Sequence, residues 1–257
     1  MEVTNNIVLI TGGTSGFGLE FAKQLYALGN TVIVTGRNAV KLEETKNKLP
    51  GIYTFQSDVS DPDAIVALYN KVVAQFPGIN MLINNAGEMR RINLHDPSIG
   101  LNDITREIEI NLCGPVRMVQ QFLPVLKQQG SAAILNVSSG LALVPFPVSP
   151  VYGATKSGLH SYTRSLRVQL KNTNIQVFEL LPPAAQTPLI DKFVIDMPGG
   201  SLMSAEKVVA AAILGMQQSK PEIYPGMSKA IRFFSRWFPA LIFKLLSRPV
   251  NAMLAEK

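Results

Sequence analysis

Residues 7–18 read Ile7-Val8-Leu9-Ile10-Thr11-Gly12-Gly13-Thr14-Ser15-Gly16-Phe17-Gly18, and a helical pattern follows from Leu19 to Leu28. Four aliphatic residues in a row suit a strand buried on both faces. Glycines directly after such a strand allow positive φ and let the backbone approach a ligand closely. The unpaired N–H groups of the helix that follows favour an anion such as a pyrophosphate.

Working outward, short apolar runs recur at Thr31 to Val34, Ile52 to Phe55, Met81 to Ile83, Ala132 to Val137 and Ile175 to Leu181. Amphipathic stretches lie between them, including Val40 to Leu49, Ala64 to Phe76 and Leu159 to Leu170. This alternation predicts an α/β chain with one doubly wound parallel sheet and helices on both faces. No repeat, low-complexity tract or linker divides the chain. Residues 1–227 are expected to form one domain, and 228–257 a separate basic amphipathic segment. Leu181 to Met203 is rich in proline and glycine and long for a connection, which suits a substrate loop at about 182–203.

The 257 residues carry a formal charge of +6, with 47% hydrophobic and 16% charged residues. Residues 228–257 hold Lys229, Arg232, Arg236, Lys244, Arg248 and Lys257 against Glu256 alone, a net of +5, which leaves +1 for residues 1–227. A nearly neutral body lacks the clustered footprint of nucleic-acid binding, so no nucleic-acid partner is expected. Cys113 is the single cysteine, and His95 and His160 stand far apart. No disulfide framework and no metal site are expected. With no basic leader before Ile7 and no apolar run of membrane-spanning length, a cytoplasmic protein is expected.

Three motifs stand in order: the TGxxxGxG turn from Thr11 to Gly18, Asn84-Asn85-Ala86-Gly87 after the fourth strand, and Tyr152-Gly153-Ala154-Thr155-Lys156. Together they resemble the short-chain dehydrogenase/reductase family, over about residues 5–225. The resemblance implies a Rossmann-type domain, hydride transfer between a nicotinamide cofactor and a carbonyl/alcohol pair, and a homodimer or homotetramer. Pro182-Pro183, with the first strand and Gly29-Asn30-Thr31-Val32-Ile33, resembles the DltE-like bacterial subgroup.

Tyr152 and Lys156 lie four residues apart and share a helix face. An ammonium about 4 Å away, at an effective dielectric of 20, contributes about 4 kcal/mol, enough to bring a tyrosine down by about three pKa units. The resemblance implies Tyr152 as the proton-exchanging residue and Lys156 as its partner and a ribose contact. It also implies Ser139, thirteen residues before the tyrosine, as the group orienting the substrate oxygen, with Ser138 structural. Asn111 matches the family's asparagine in a proton relay to the lysine; from the residues alone it could equally be a helix-kink residue.

For the cofactor, the resemblance implies contacts from Thr11, Gly12, Thr14, Ser15, Gly16, Phe17 and Gly18. It adds Asp58 and Val59 at the adenine, Asn85, Ala86 and Gly87 after the fourth strand, Pro182, and Thr187 at the carboxamide or a phosphate. Val34-Thr35-Gly36-Arg37 places glycine where an acidic residue would bind a ribose 2′-hydroxyl, with arginine next to it, so NADP(H) is expected over NAD(H). Pro183 stands where family members commonly have glycine; it lacks an N–H and fixes φ, so local contacts must differ.

Glu88 to Arg91, Leu141 to Val148 and Leu189 to Val194, with Phe146, Ile190 and Phe193, map to a mostly apolar substrate side suited to a small lipophilic carbonyl or alcohol. Arg90 and Arg91 could meet an anionic substrate group or lie solvated. A catalytically silent NADP(H)-binding sensor with the same fold is the alternative.

In residues 228–257, Ile231, Phe234, Phe238, Leu241, Ile242 and Leu245 fall in one helical arc opposite Lys229, Arg232 and Arg236, and Pro239 is expected to split the segment into two helices. Its apolar face could pack on the body or a second subunit, or contact a membrane surface, which would make the protein peripheral to the inner membrane face.

Overall fold

A computed structural model of the chain describes residues 1–190 and 202–255, without the side chains of 252 and 255. The strands are β1 (Ile7–Thr11), β2 (Thr31–Gly36), β3 (Tyr53–Gln56), β4 (Met81–Asn84), β5 (Ala132–Val137), β6 (Ile175–Leu180), β7 (Ala185–Gln186), β8 (Met203–Ser204) and β9 (Glu222–Ile223). The helices are α1 (Gly16–Ala27), α2 (Ala39–Lys48), α3 (Pro62–Gln75), α4 (Leu101–Ile104), α5 (Arg106–Ile108), α6 (Gly114–Lys127), α7 (Pro150–Gln169), α8 (Ala205–Gln217), α9 (Ser228–Trp237) and α10 (Pro239–Ala255). A π-helical turn, Glu109–Cys113, joins α5 to α6.

Seven strands form one parallel sheet in the order β3-β2-β1-β4-β5-β6-β9. The order reverses beside β1, where β2 lies on one side and β4 on the other, and that reversal opens a crevice at the carboxyl ends of the strands. The aliphatic runs explain the sheet's place: β4 and β5 are buried at every residue. One face packs Val8, Ile10, Val34 and Phe178 against α1 and α8, and the other packs Leu9, Leu82, Ile134 and Val177 against α3, α6 and α7. The doubly wound Rossmann-type sheet expected from the alternation is therefore present.

The short strands go beyond the sequence reading. The dipeptide strands β9 and β7–β8 are too short to show periodicity; β7 pairs with β8 and pins the two ends of the predicted substrate loop. Helix α7 starts at Pro150, nine residues before the apolar pattern at Leu159, so Tyr152 lies in its first turn. The chain does divide at Pro239 into α9 and α10. The segment from 228 onward is not detached from the body, however, because Leu246, Val250 and Met253 of α10 pack in one cluster with Tyr152. Among the described residues no helix is long and apolar enough to cross a membrane.

Candidate active site

The glycine turn sits at the carboxyl end of β1. Gly12 and Gly16 have φ of 64° and 52°, in the left-handed region that other residues rarely adopt. A Cβ at Gly12 would lie 2.7 Å from Ala86 Cα, and one at Gly18 would collide with the Gly12 carbonyl and the Asn85 amide. Ser15 is the N-cap of α1 but its side chain makes no capping hydrogen bond, so first-turn amides remain for an outside acceptor. A cradle without side chains beside unspent N–H groups fits the pyrophosphate of a dinucleotide.

The motif after β4 braces this turn. Thr11 Oγ1 accepts from the N–H groups of Asn85 and Ala86, each at 3.0 Å, and Asn85 Nδ2 donates to the carbonyls of Thr11 and Gly12 at 3.0 and 3.1 Å. Thr14 and Phe17 flank the turn, and Thr187 approaches it from the segment after β6, where a Cβ at Gly16 would lie 3.4 Å from Thr187 Cβ. Pro182 accepts from Gly140 N–H at 2.9 Å, which ties that segment to the end of β5. Arg37 follows β2 with its side chain exposed, and Asn38 beside it caps α2. The Asp58 carboxylate accepts from Ser60 N and Oγ at 2.9 and 2.7 Å, and Val59 is buried against Gly114.

Ser139 lies just past β5 and Tyr152 in the first turn of α7, both buried. Burial pushes Tyr152 up to about 12, while the Ser139 hydroxyl beside it pulls the other way. Lys156 is 4% exposed and donates to the Val137 carbonyl at 2.9 Å; its ammonium sits 5.7 Å from the Tyr152 ring centre. Desolvation brings Lys156 down to about 8, opposed by the Glu179 carboxylate. The sequence expectation of a tyrosine lowered by its lysine is thus corrected. The lysine is spent on a carbonyl and is itself desolvated, so burial dominates at the phenol.

Asn111 stands at a helix irregularity, the place its structural reading gave it. It lies in the π-helical turn, fully buried, with Oδ1 accepting from Glu88 N at 2.8 Å and Nδ2 donating to Glu88 O at 2.7 Å and Thr155 Oγ1 at 3.2 Å. A Cβ at Gly87 would meet Asn111 Oδ1 at 3.3 Å and Lys156 Nζ at 3.7 Å, so Gly87, Asn111 and Lys156 converge. Ser138 donates to the Lys156 carbonyl at 3.4 Å, away from the cleft.

Met89, Phe146, Val148 and Leu141 gather around Tyr152 with Leu189. Residues 191–194, Phe193 among them, fall outside the described residues, as does half of the expected loop at 182–203. Arg90 takes neither role left open for it: its guanidinium pairs with Asp103 at 2.7 Å and lies 3.7 Å from the buried Glu107.

Two groups escaped the sequence reading. Glu179 is fully buried in β6 and meets His160 Nδ1 at 2.8 Å. The signal was available: a glutamate inside an aliphatic strand needs a partner, and His160 stands four residues after Lys156 on the same helix face. The wall that α10 adds through Leu246, Val250 and Met253 had no comparable signal.

The family model for short chain dehydrogenases matches residues 6–197. The uncharacterized oxidoreductase DltE of Bacillus subtilis is 43% identical over 225 residues, 87% of this chain and 89% of its own. The 3-ketoacyl-(acyl-carrier-protein) reductase of Brucella melitensis, solved with NADH, superposes with a TM-score of 0.78 at 27% identity, covering 85% of this chain and 94% of that one. A short chain dehydrogenase of Burkholderia cenocepacia, solved with NADP, superposes with a TM-score of 0.82 at 23% identity over 97% of this chain and 100% of that one. The chain belongs to the short-chain dehydrogenase/reductase family, in its DltE-like group.

Proposed function

We propose that the protein is an NADP(H)-dependent oxidoreductase that interconverts a carbonyl and an alcohol on a small lipophilic substrate. The observation that carries this reading is the convergence of Ser139, Tyr152 and Lys156 at the carboxyl ends of the strands, within an apolar wall and beside the glycine cradle. A dinucleotide would be held by the first-turn amides of α1, by Thr14 and Thr187, and by Lys156. Arg37 would take a 2′-phosphate, with Gly36 leaving no carboxylate to repel it. When bound, the nicotinamide supplies or removes the hydride.

The chain's own residues handle the oxygen and the proton. Ser139 Oγ is placed to donate to a substrate oxygen as negative charge develops on it. Tyr152, held up at about 12, is neutral near pH 7, which is the form that gives a proton to that oxygen. Lys156 holds positive charge beneath the phenol, and Glu179 helps to keep it protonated despite burial. The walls from Met89, Phe146 and Val148 exclude water and leave apolar surface for the substrate.

The test is consumption of NADPH with a panel of aliphatic and aromatic aldehydes and ketones. Turnover of apolar members, faster with NADPH than with NADH, is expected. Binding of NADPH without turnover of any member would favour the sensor reading.

A further inference from the structure

Helices α9 and α10 present two faces that do different things. On α10, Leu246, Val250 and Met253 are spaced four and three residues apart, share one face, and pack on the cluster that contains Tyr152. On α9, the body is met by buried Ser228 and by Ile231, whose Cδ1 reaches the neighbourhood of Gly140 beside Ser139.

The outward side is different in kind. Phe233, Phe234, Trp237 and Phe238 are 40–65% exposed, and Phe233, Phe234 and Phe238 touch one another with ring centres 5.5–6.3 Å apart. Leu241 and Leu245 continue the patch along α10 at 50% and 45% exposure. Other exposed large apolar side chains, such as Val40, Leu94 and Val168, lie on separate parts of the body. A contiguous aromatic patch left in water marks an interaction surface.

Its charge says which surface. Lys229, Arg232, Arg236, Lys244 and Arg248 flank the patch, and no acidic residue occurs from 228 to 255. Arg232 reaches Glu222 at 4.0 Å and lies over the Tyr224 ring, whereas among the described residues Lys229, Arg236, Lys244 and Arg248 have no ion-pair partner. A second copy docking through a two-fold axis would set these cations against themselves. An anionic bilayer supplies the opposite charge and an apolar layer at the depth that phenylalanine and tryptophan occupy.

We propose that α9 and α10 dock on an anionic lipid surface through the patch from Phe233 to Leu245, with Lys229, Arg236, Lys244 and Arg248 at the headgroups. The helices then lie on the bilayer and do not cross it. The helix that touches lipid on one side forms a wall of the Tyr152 pocket on the other, which places that pocket at the lipid boundary. The docking itself does not rest on the oxidoreductase reading, because its test needs no turnover.

Full-length protein is floated with vesicles of phosphatidylglycerol and phosphatidylcholine, and with phosphatidylcholine alone. Flotation with the mixed vesicles only is expected, together with a blue shift in the emission of Trp237, the single tryptophan. High salt should weaken it, since the Debye length falls to about 3 Å at 1 M. The pairs Phe233→Ser with Trp237→Ser, and Lys244→Glu with Arg248→Glu, should each lower vesicle partitioning at least about tenfold. Unchanged melting temperatures would show that these exposed substitutions leave the fold intact. Protein that stays in solution with both vesicle types overturns the proposal. So does a dimer that the aromatic pair of substitutions splits, because the patch would then belong to a second copy.

Discussion

Helix α7 and the pair α9–α10 are built from similar residues, aromatics and cations in helical spacing, and the structure treats them in opposite ways. On α7, Tyr152 and Lys156 are 5% and 4% exposed, the lysine is bound to the Val137 carbonyl, and His160 meets Glu179. On α9, Trp237 is 65% exposed and the cations Lys229 and Arg236 face solvent. Burial is what converts a tyrosine and a lysine into groups with displaced pKa values, whereas on α9 the side chains offer surface. The two regions meet at Met253, which belongs to one helix and shares a hydrophobic cluster with the tyrosine of the other.

The contrast can be broken most sharply at Tyr152. Tyr152→Phe removes the proton donor and keeps the ring in its pocket, so turnover should fall by about 10²–10⁴-fold with NADPH affinity nearly unchanged. Steady-state kinetics and a cofactor titration separate the two. Turnover kept at the wild-type level would place the chemistry elsewhere.

Packing gives the next contrast. Phe122 is fully buried beneath the sheet, and Phe122→Ala should cost about 3–5 kcal/mol in a urea melt. Trp237→Ser, on the outward face of α9, should stay within about 0.5 kcal/mol. Equal losses would mean that the tail's aromatics are packed in solution.

The pH dependence of kcat/KM tests the buried lysine. Lys156 is lowered to about 8, so its positive charge is present below that pH and lost above it. The rate should fall as pH rises through this value, about tenfold per unit where the charge is required. Glu179→Gln removes the carboxylate that holds the lysine up, so the fall should begin at lower pH in that variant. A smaller effect is expected at Arg37: Arg37→Ser should reduce the preference for NADPH over NADH by about tenfold, the equivalent of one charge-assisted hydrogen bond.

The parallel sheet was legible because β1, β2, β4, β5 and β6 are aliphatic runs, buried on both faces, whose periodicity needs no partner to be seen. The glycine turn was legible for a related reason, since only glycine fits the backbone at Gly12. The start of α7 was legible only from the Tyr152–Lys156 spacing, because its first turns carry Tyr152, Gly153 and Thr155 facing a site, where an apolar stripe would otherwise mark a helix. The double role of α10 was hidden for the opposite reason: apolar residues on several of its faces make the periodicity point in no single direction.

By itself the sequence determined the sheet, the glycine cradle and the order of its motifs, because these follow from local chain chemistry and from residues near each other in the chain. Only the tertiary structure decided the state of the site. The approach of Glu179 to His160, the capture of Lys156 by the Val137 carbonyl and the clustering of Met253 with Tyr152 join residues 19 to 101 positions apart. Desolvation depends on everything packed around a group, so a pKa or a pocket wall exists only once distant segments have been brought together.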